Sequence, residues 1–297
     1  MTDQSTLRRA YTTCIRLAQD HYENFPVASR LLPVSVRPHI AAIYAFARVA
    51  DDFADEGDRS AQQRLALLER WGNRLARIGG TTSNSVDPAD AEHRDADDIF
   101  LALADTIATH QLPVSLFDDL LSAFRQDVTV TRYATWADLL DYCRRSANPV
   151  GRIVLRICGV WDKTLDQRSD SVCSALQITN CLQDFGRDWR AGRLYVPRDI
   201  QYECGAQISD LEAEFVSPAW HVALERCAAK TRELFLDGRP VCDGVTGRLK
   251  MELRLTWLGG MRILDRVGRT RHDPINDRPA LGFGDVIPLV CRAVVWT

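Results

Sequence analysis

The segment YAFARVADDFAD, residues 44–55, decides the fold prediction because it sets polar side chains at helical spacing among small and apolar neighbours. Tyr44, Arg48, Asp51 and Asp55 stand at offsets of 4, 7 and 11 residues. An α-helix turns about 100° per residue, so these offsets place the four side chains in one row along a helix. Because burying an unpaired carboxylate is costly, we expect a positive group to lie between the two aspartates.

A second segment, QITNCLQDFGRD at residues 177–188, repeats this pattern with Gln177, Asn180, Asp184 and Asp188. A single polar row is typical of a solvated helix face, but two rows indicate a binding function. Neither row contains His or Cys, which disfavours zinc, whereas oxygen ligands suit Mg²⁺ shared with substrate phosphates. We therefore expect the two rows to face each other and to hold several Mg²⁺ ions bridged by a diphosphate.

Apolar residues recur at helical spacing along most of the chain, so the sequence predicts an all-α fold. Ser60 is a candidate N-cap for one helix, and loops are expected at 79–96 and 191–207. The chain shows no alternating strand pattern, internal repeat or linker, which favours a single domain over residues 1–297. The predicted helices cover residues 6–22, 39–55, 60–78, 97–109, 113–127, 135–147, 150–160, 166–190, 218–236, 247–267 and 279–293.

The composition is that of a globular protein without a nucleic-acid surface, with 46% hydrophobic residues, 26% charged residues and a net charge of −3. Nine cysteines are scattered singly, a pattern typical of a reducing compartment, so we expect a cytoplasmic protein. No signal peptide is recognisable, and no uncharged apolar run reaches the ~18 residues of a membrane span. The tail 283–297 is apolar enough to contact a bilayer surface peripherally, although its pattern is more typical of a packed last helix.

The two acidic segments resemble the paired aspartate-rich motifs of the squalene and phytoene synthase family, whose members join or convert isoprenyl diphosphates. The resemblance extends over nearly the whole chain and combines several motifs, which makes it specific. The matching segments are HYENFPVASRLLP (21–33), DDFAD (51–55), YCRRSANPVGRIVLRICG (142–159), NCLQDFGRD (180–188), GRLYVPRD (192–199), RILDRV (262–267) and NDRPAL (276–281).

Three motifs, ENFPVAS, SANPVG and LQDFGRD, are most similar to the branch of the family that converts presqualene diphosphate to hydroxysqualene in bacterial hopanoid biosynthesis. Phytoene synthases and enzymes that form presqualene diphosphate usually read Asn-Ile-Leu-Arg-Asp in the second motif. Here Gln183 replaces that arginine, and Arg187 lies one helical turn further on. This difference argues against a simple condensation of two farnesyl diphosphates and leaves open whether Arg187 substitutes for the missing arginine.

The resemblance implies the isoprenoid synthase (class I terpenoid synthase) fold, with helices around a central cavity and the two rows on opposite walls near its mouth. Two or three Mg²⁺ ions would accompany the bound diphosphate. The implied metal ligands are Asp51, Asp55, Asn180, Asp184 and Asp188. The implied substrate and diphosphate contacts are Asn24, Phe25, Arg48, Gln183, Arg187, Tyr195 and Arg278. Tyr44 and Tyr142 would line the cavity beside the reacting cation, and Gln177 would orient the second row.

The implied reaction begins with loss of diphosphate from presqualene diphosphate, and the resulting carbocation rearranges to an allylic cation. Tyrosine faces can stabilise a cation without trapping it. Water then captures the cation, so no NADPH is expected. Tyr44, Asn24 and Gln183 are candidates for placing that water.

Two other functions stay open at this point. The first is a prenyltransferase that joins two farnesyl diphosphates head to head, giving presqualene diphosphate, squalene or a related carotenoid precursor. The second is a non-catalytic isoprenoid-binding subunit, which the complete acidic rows disfavour. A functional association with the synthase that makes presqualene diphosphate is also compatible with the sequence.

Overall fold

The structure, a computed structural model, describes residues 4–20, 31–78, 93–268 and 273–296. Within these ranges the secondary structure is helical, and the only extended pairing is an isolated bridge between Arg132 and Leu194. The all-α prediction is therefore confirmed. Over the same ranges, no helix combines the length and apolar character needed to cross a bilayer. Asn24 and Phe25, two of the predicted substrate contacts, lie outside the described residues.

Fifteen helices occupy the described ranges. In chain order they are α1 (Gln4–Asp20), α2 (Arg37–Asp55), α3 (Ala61–Ala76), α4 (Ala96–His110), α5 (Ser115–Asp127), α6 (Trp136–Ser146), α7 (Asn148–Ile157), α8 (Lys163–Gln183), α9 (Phe185–Arg190), α10 (Arg198–Cys204), α11 (Ile208–Glu212), α12 (Pro218–Gly238), α13 (Val241–Gly244), α14 (Gly247–Val267) and α15 (Phe283–Val295).

The helices group into two compact units. One unit comprises Met1–Thr129 with Arg152–Trp161, and the other comprises Val130–Gly151 with Asp162–Thr297. In the first unit, α2 packs against α1, α3, α4 and α5. In the second, α8 packs against α12, α14 covers both of these helices, and α15 packs on α14. The first polar row therefore lies on the central helix of its unit, and the second row begins on α8, the central helix of the other unit.

An aromatic cluster fixes α2 in the core of the first unit. Phe46 of α2 is fully buried, with its ring centroid 6.0 Å from Trp71, 5.9 Å from Phe100 and 5.7 Å from Phe117. The Trp71 indole also donates a 3.3 Å hydrogen bond to the Phe46 carbonyl oxygen. Because Phe46 and Arg48 lie on different sides of the same helix, this packing sets the direction in which the first polar row points.

Close packing of three helices forms the core of the second unit. A Cβ added to Gly260 of α14 would lie 2.6 Å from Phe235 of α12 and 2.7 Å from Leu176 of α8. Nearby, the Trp257 indole donates a 2.7 Å hydrogen bond to the Phe235 carbonyl oxygen. The absence of a side chain at residue 260 therefore allows α14 to approach both α8 and α12.

The single helix predicted over 166–190 is wrong, because a tertiary contact interrupts it. α8 ends at Gln183 and α9 begins at Phe185. In a continuous helix the Gly186 amide would donate to the carbonyl four residues earlier, but it donates instead to Pro274 at 3.1 Å.

The loop predicted over 191–207 is also wrong in part, since it contains α10. Ser60 is confirmed as the N-cap of α3. Its hydroxyl accepts from the Gln63 amide, and the Gln63 side chain accepts from the Ser60 amide in return.

We predict that Phe46→Ala will destabilise the protein by about 3–5 kcal/mol, because the truncation removes a large buried ring and leaves a cavity among three other aromatic rings. The free energy of unfolding from urea denaturation measures the effect. Phe283→Ala is the control, since Phe283 is 98% exposed and its loss should change stability by less than about 0.5 kcal/mol. Equal effects of the two substitutions would contradict the assignment of the core.

Candidate active site

The first polar row runs along the side of α2 that the core leaves uncovered. Tyr44, Arg48 and Asp51 are half-buried and Asp55 is exposed, so the row is less buried than its apolar neighbours in the sequence suggest. The small Ala47 side chain lies on the same partly open surface. The buried residues of α2 are Ile40, Ala41, Ala42, Ile43, Ala45, Phe46, Val49, Ala50, Phe53 and Ala54.

Arg48 supplies positive charge to this row. Its Nη2 lies 2.7 Å from Asp52 Oδ1 and 2.6 Å from Glu56 Oε1, and its Nη1 lies 3.5 Å from Asp51 Oδ2. The Arg48 side chain is 28% exposed, so these pairs lie in a lower dielectric than bulk water, which strengthens them. Sequence reasoning missed Asp52 and Glu56, although the i,i+4 spacing of Arg48 and Asp52 could have identified the first of them. Arg48 thus gathers three carboxylates at the C-terminal end of α2.

Tyr44 lies one helical turn before Arg48. Burial raises the pKa of the Tyr44 phenol, the Arg48 charge opposes this shift, and the Asp51 and Asp52 carboxylates reinforce it. The phenol therefore stays protonated at neutral pH and presents an uncharged ring beside the row.

The second polar row continues across the junction between α8 and α9. Gln177 and Asn180 lie on α8, Asp184 is the residue between the helices, and Asp188 lies on α9. The Asp184 amide donates to the Asn180 carbonyl at 2.8 Å, and the Asp188 amide donates to the Asp184 carbonyl at 2.9 Å. Because these hydrogen bonds keep the i→i−4 pattern, the four residues stay aligned despite the interruption.

Arginines pair with both carboxylates of the second row. Arg278 holds Asp184 through two hydrogen bonds, Nε to Oδ1 at 2.5 Å and Nη2 to Oδ2 at 3.3 Å. Arg187 Nη1 lies 3.7 Å from the same Oδ1. Asp188 Oδ1 lies 3.8 Å from Arg193 Nε. The structure thus brings together Asp184, Arg187 and Arg278, which the sequence places up to 94 residues apart.

Gln183, a predicted substrate contact, also forms a hydrogen bond with the protein backbone. Its side-chain amide donates a 2.5 Å hydrogen bond to the carbonyl oxygen of Pro279. Pro279 follows Arg278 directly in the chain. The residue that distinguishes the second motif therefore contacts the C-terminal segment that carries an arginine of the site.

Three tyrosines form a separate cluster in the second unit. Tyr142 and Tyr195, both predicted to lie near the substrate, have ring centroids 6.0 Å apart. Tyr133 lies 5.5 Å from Tyr142 and 5.7 Å from Tyr195, stacked on the latter. Leu194 and Arg198 donate backbone hydrogen bonds to Thr131 and Tyr133, which brings the two segments alongside each other. No helical periodicity singles out Tyr133, so sequence reasoning missed it.

The carboxylates that could bind a metal ion lie in pairs and not in larger clusters in the part of the chain that the structure describes. Across the described ranges, no group of three or more His, Cys, Asp or Glu side chains is already gathered in a form that could hold a metal ion. Mg²⁺ usually keeps several waters and binds through one or two carboxylates plus substrate phosphates. The partly exposed Asp51 and Asp55 on α2, and Asp184 with Asp188 in the second unit, fit that requirement, because each pair offers two carboxylates in one row.

The sequence matches the squalene/phytoene synthase family over residues 18–284. The hydroxysqualene synthase of Zymomonas mobilis is 37% identical over 262 residues, covering 86% of this chain and 82% of that protein. The hydroxysqualene synthase of Rhodopseudomonas palustris is 36% identical over 280 residues, covering 94% and 87%. The crystal structure of squalene synthase HpnC from Alicyclobacillus acidocaldarius is similar with a TM-score of 0.79 and 37% identity, covering 89% of this chain and 95% of that one.

We predict that Gly186→Ala will lower the melting temperature, because a Cβ at this position would overlap the backbone carbonyl of Ile275. Overpacking of this kind costs about 1–3 kcal/mol, which exceeds the gain in helix propensity from glycine to alanine, about 1 kcal/mol. Gly284→Ala in α15 is the matched control, since a Cβ there would meet no atom within 4 Å. An unchanged melting temperature for Gly186→Ala would contradict the close packing of the C-terminal segment on α9.

Proposed function

The chain belongs to the squalene/phytoene synthase family, and from this premise we propose that it is a hydroxysqualene synthase. The observation that carries the proposal is the similarity to two proteins of that name, which extends over 86% and 94% of this chain and includes both polar rows. The family match over residues 18–284 also supports treating both compact units as parts of one catalytic domain.

In the proposed reaction, presqualene diphosphate and water give hydroxysqualene and diphosphate. The C–O bond to the diphosphate breaks and the electron pair leaves with the phosphate oxygen. The cyclopropylcarbinyl cation rearranges to an allylic cation, and a water oxygen forms the new C–O bond and releases a proton. No electrons are gained or lost overall, so the reaction needs no NADPH.

Mg²⁺ is the proposed cofactor, held by Asp51 and Asp55 in the first row and by Asn180, Asp184 and Asp188 in the second. When bound, Mg²⁺ neutralises the charge that develops on the departing diphosphate. The arginines of each row support this proposal, since guanidinium groups recognise phosphate oxygens as well as carboxylates. Arg48, Arg187 and Arg278 would bind the diphosphate directly.

The aromatic side chains are proposed to act on the organic part of the substrate. Tyr142 and Tyr195, with Tyr133 stacked beside them, present electron-rich faces that stabilise a carbocation. Tyr44 keeps its proton at neutral pH and would line the cavity without acting as an anionic nucleophile. Gln177 would orient the second row. We also retain Tyr195 as a diphosphate contact, and Asn24 and Phe25 as substrate contacts.

A prenyltransferase that condenses two farnesyl diphosphates is the second candidate. It is favoured by Arg187, whose Nη1 lies 3.7 Å from Asp184. Arg187 therefore supplies an arginine to the second motif, in which Gln183 stands at the usual arginine position. The product formed from each substrate separates the two candidates, and absence of any product would favour a non-catalytic binding subunit.

We further propose that the protein works at the cytoplasmic surface of a membrane, to which α15 binds peripherally. The outer side of this helix is apolar and exposed, including Phe283, Val286, Ile287, Val290 and Val294. Because the proposed substrate and product are thirty-carbon lipids, a bilayer is the chemically suited surface for an exposed interfacial helix.

Another feature of α15 supports this orientation. Its inward side carries Asp285, which pairs with Arg262 and Arg266. These ion pairs keep the apolar side of the helix facing outward. Membrane attachment would also bring the protein near the synthase that supplies presqualene diphosphate, with which we propose a functional association.

We predict that the purified protein with Mg²⁺ and without NADPH converts presqualene diphosphate to hydroxysqualene and leaves farnesyl diphosphate unchanged. Mass spectrometry of the extracted lipids identifies the product. Formation of presqualene diphosphate or a thirty-carbon hydrocarbon from farnesyl diphosphate would instead establish the prenyltransferase.

Asp51→Asn and Asp184→Asn are the matched variants, since each removes one charge at nearly constant volume. Both should retain the helical circular dichroism spectrum and lose nearly all turnover, and wild-type activity in both would contradict the assigned role of the rows.

We predict that the protein floats with vesicles containing phosphatidylglycerol, and that the triple variant Val286→Ser, Ile287→Ser, Val290→Ser does not. These three side chains are 53%, 74% and 43% exposed, so the substitutions should leave the fold intact. Val222→Ser with Leu236→Ser on α12 is the control, because these side chains are 52% and 54% exposed elsewhere on the surface. Equal flotation of the triple variant and the wild type would contradict a membrane role for α15.

A further inference from the structure

Residues 273–282, called the C-terminal strap here, pack across the junction between α8 and α9. The Gly186 amide donates to Pro274 at 3.1 Å, and Arg190 Nη2 donates to Asn276 Oδ1 at 2.9 Å. Arg266 of α14 donates to the carbonyl oxygen of Ala280. The strap buries Pro274, Ile275 and Pro279. It is therefore a packed part of the second unit that carries Arg278.

Gln183 binds the strap at Pro279, the residue that follows Arg278. Its 2.5 Å hydrogen bond to the Pro279 carbonyl is partly buried, whereas the Arg190 and Arg266 contacts are exposed. A hydrogen bond shielded from water is electrostatically stronger and more costly to lose than an exposed one. The proline ring also restricts the backbone at this point, so a fixed Pro279 limits where Arg278 can lie.

The next residue along the chain completes the arrangement. Asp184 follows Gln183 and receives the two hydrogen bonds from Arg278. Gln183 therefore holds Pro279 through its backbone carbonyl oxygen, and Asp184 holds the preceding residue, Arg278, through an ion pair. The Gln183 contact and the Arg278 ion pair therefore join the same two short segments of the chain.

We propose that Gln183 is a positioning residue, which holds the Pro279 carbonyl so that Arg278 is fixed beside Asp184 for diphosphate binding. The inference rests on the proposed function and deepens it. It replaces the predicted direct contact of Gln183 with substrate, because the donor group of this side chain is already engaged by the strap. Gln183 acts through Arg278, and its loss has no effect on diphosphate binding other than through that arginine.

A double-mutant cycle tests this inference with binding of inorganic diphosphate in the presence of Mg²⁺, measured by isothermal titration calorimetry. Gln183→Ala should weaken binding about tenfold, the effect of losing one partly buried hydrogen bond that orients a charged group. Arg278→Lys keeps the charge but loses the paired geometry, so it should leave a weaker, measurable affinity. Adding Gln183→Ala to Arg278→Lys should cause less than a twofold further loss.

Gln201→Ala is the matched control. Gln201 also donates from its side-chain amide to a backbone carbonyl of the second unit, at 2.7 Å to Val196, but Val196 does not adjoin Arg278 in the chain. This variant should bind diphosphate within twofold of the wild type, whatever its loss of thermal stability. Gln183→Glu provides a second test, since it keeps the shape of the side chain but its carboxylate cannot donate to the Pro279 carbonyl oxygen. It should weaken diphosphate binding at least as much as Gln183→Ala, and binding equal to that of the wild type would overturn the inference.

The outcomes separate this inference from the proposed function. If the wild type binds no diphosphate with Mg²⁺, the proposed function fails and the inference fails with it. If the wild type binds and Gln183→Ala binds equally well, the inference alone is overturned. Additive losses in the double variant would show that Gln183 contacts the ligand independently of Arg278 and would overturn the positioning role. Unfolding of both Gln183 variants, seen by circular dichroism, would show a purely structural role and overturn it as well.

Discussion

A carboxylate placed half-buried on a helix requires a cation beside it, and this electrostatic requirement governs both polar rows. In the first row, Arg48 on the same helix meets the requirement by contacting Asp51, Asp52 and Glu56. In the second row, Asp184 receives Arg278 from a distant part of the chain. A local pair needs only helix geometry, whereas the distant pair requires the C-terminal strap to be in place.

The dependence on the strap explains several features of the second unit. Gly186 has no side chain where the strap passes, and its amide donates to the strap instead of continuing the helix. The interruption between α8 and α9 is therefore the consequence of a tertiary contact that organises the acidic row. The same strap leads directly into α15, whose inward Asp285 accepts a 2.8 Å hydrogen bond from the Gly282 amide at the end of the strap.

Much of the fold follows from local sequence patterns. The apolar periodicity predicted nearly every long helix, and the Ser60 cap predicted where α3 begins, because both signals act within a few residues. The prediction failed at Gln183–Phe185, where the competing hydrogen-bond acceptor, Pro274, lies about ninety residues away in the sequence. It also missed Tyr133, which reaches Tyr195 through backbone pairing between two irregular segments.

The sequence by itself determined that the protein is all-α, that the residues of each acidic row recur at helical spacing, and which family these motifs resemble. These conclusions depend on the helical repeat and on the order of residues, both of which are properties of the chain alone. Only the tertiary structure decided the partners of the charged groups: Arg48 with three carboxylates of its own helix end, Arg278 with Asp184, and Gln183 with the backbone of Pro279. These partners depend on which segments pack together and how much water the packing excludes. Neither can be read from residue spacing along a helix.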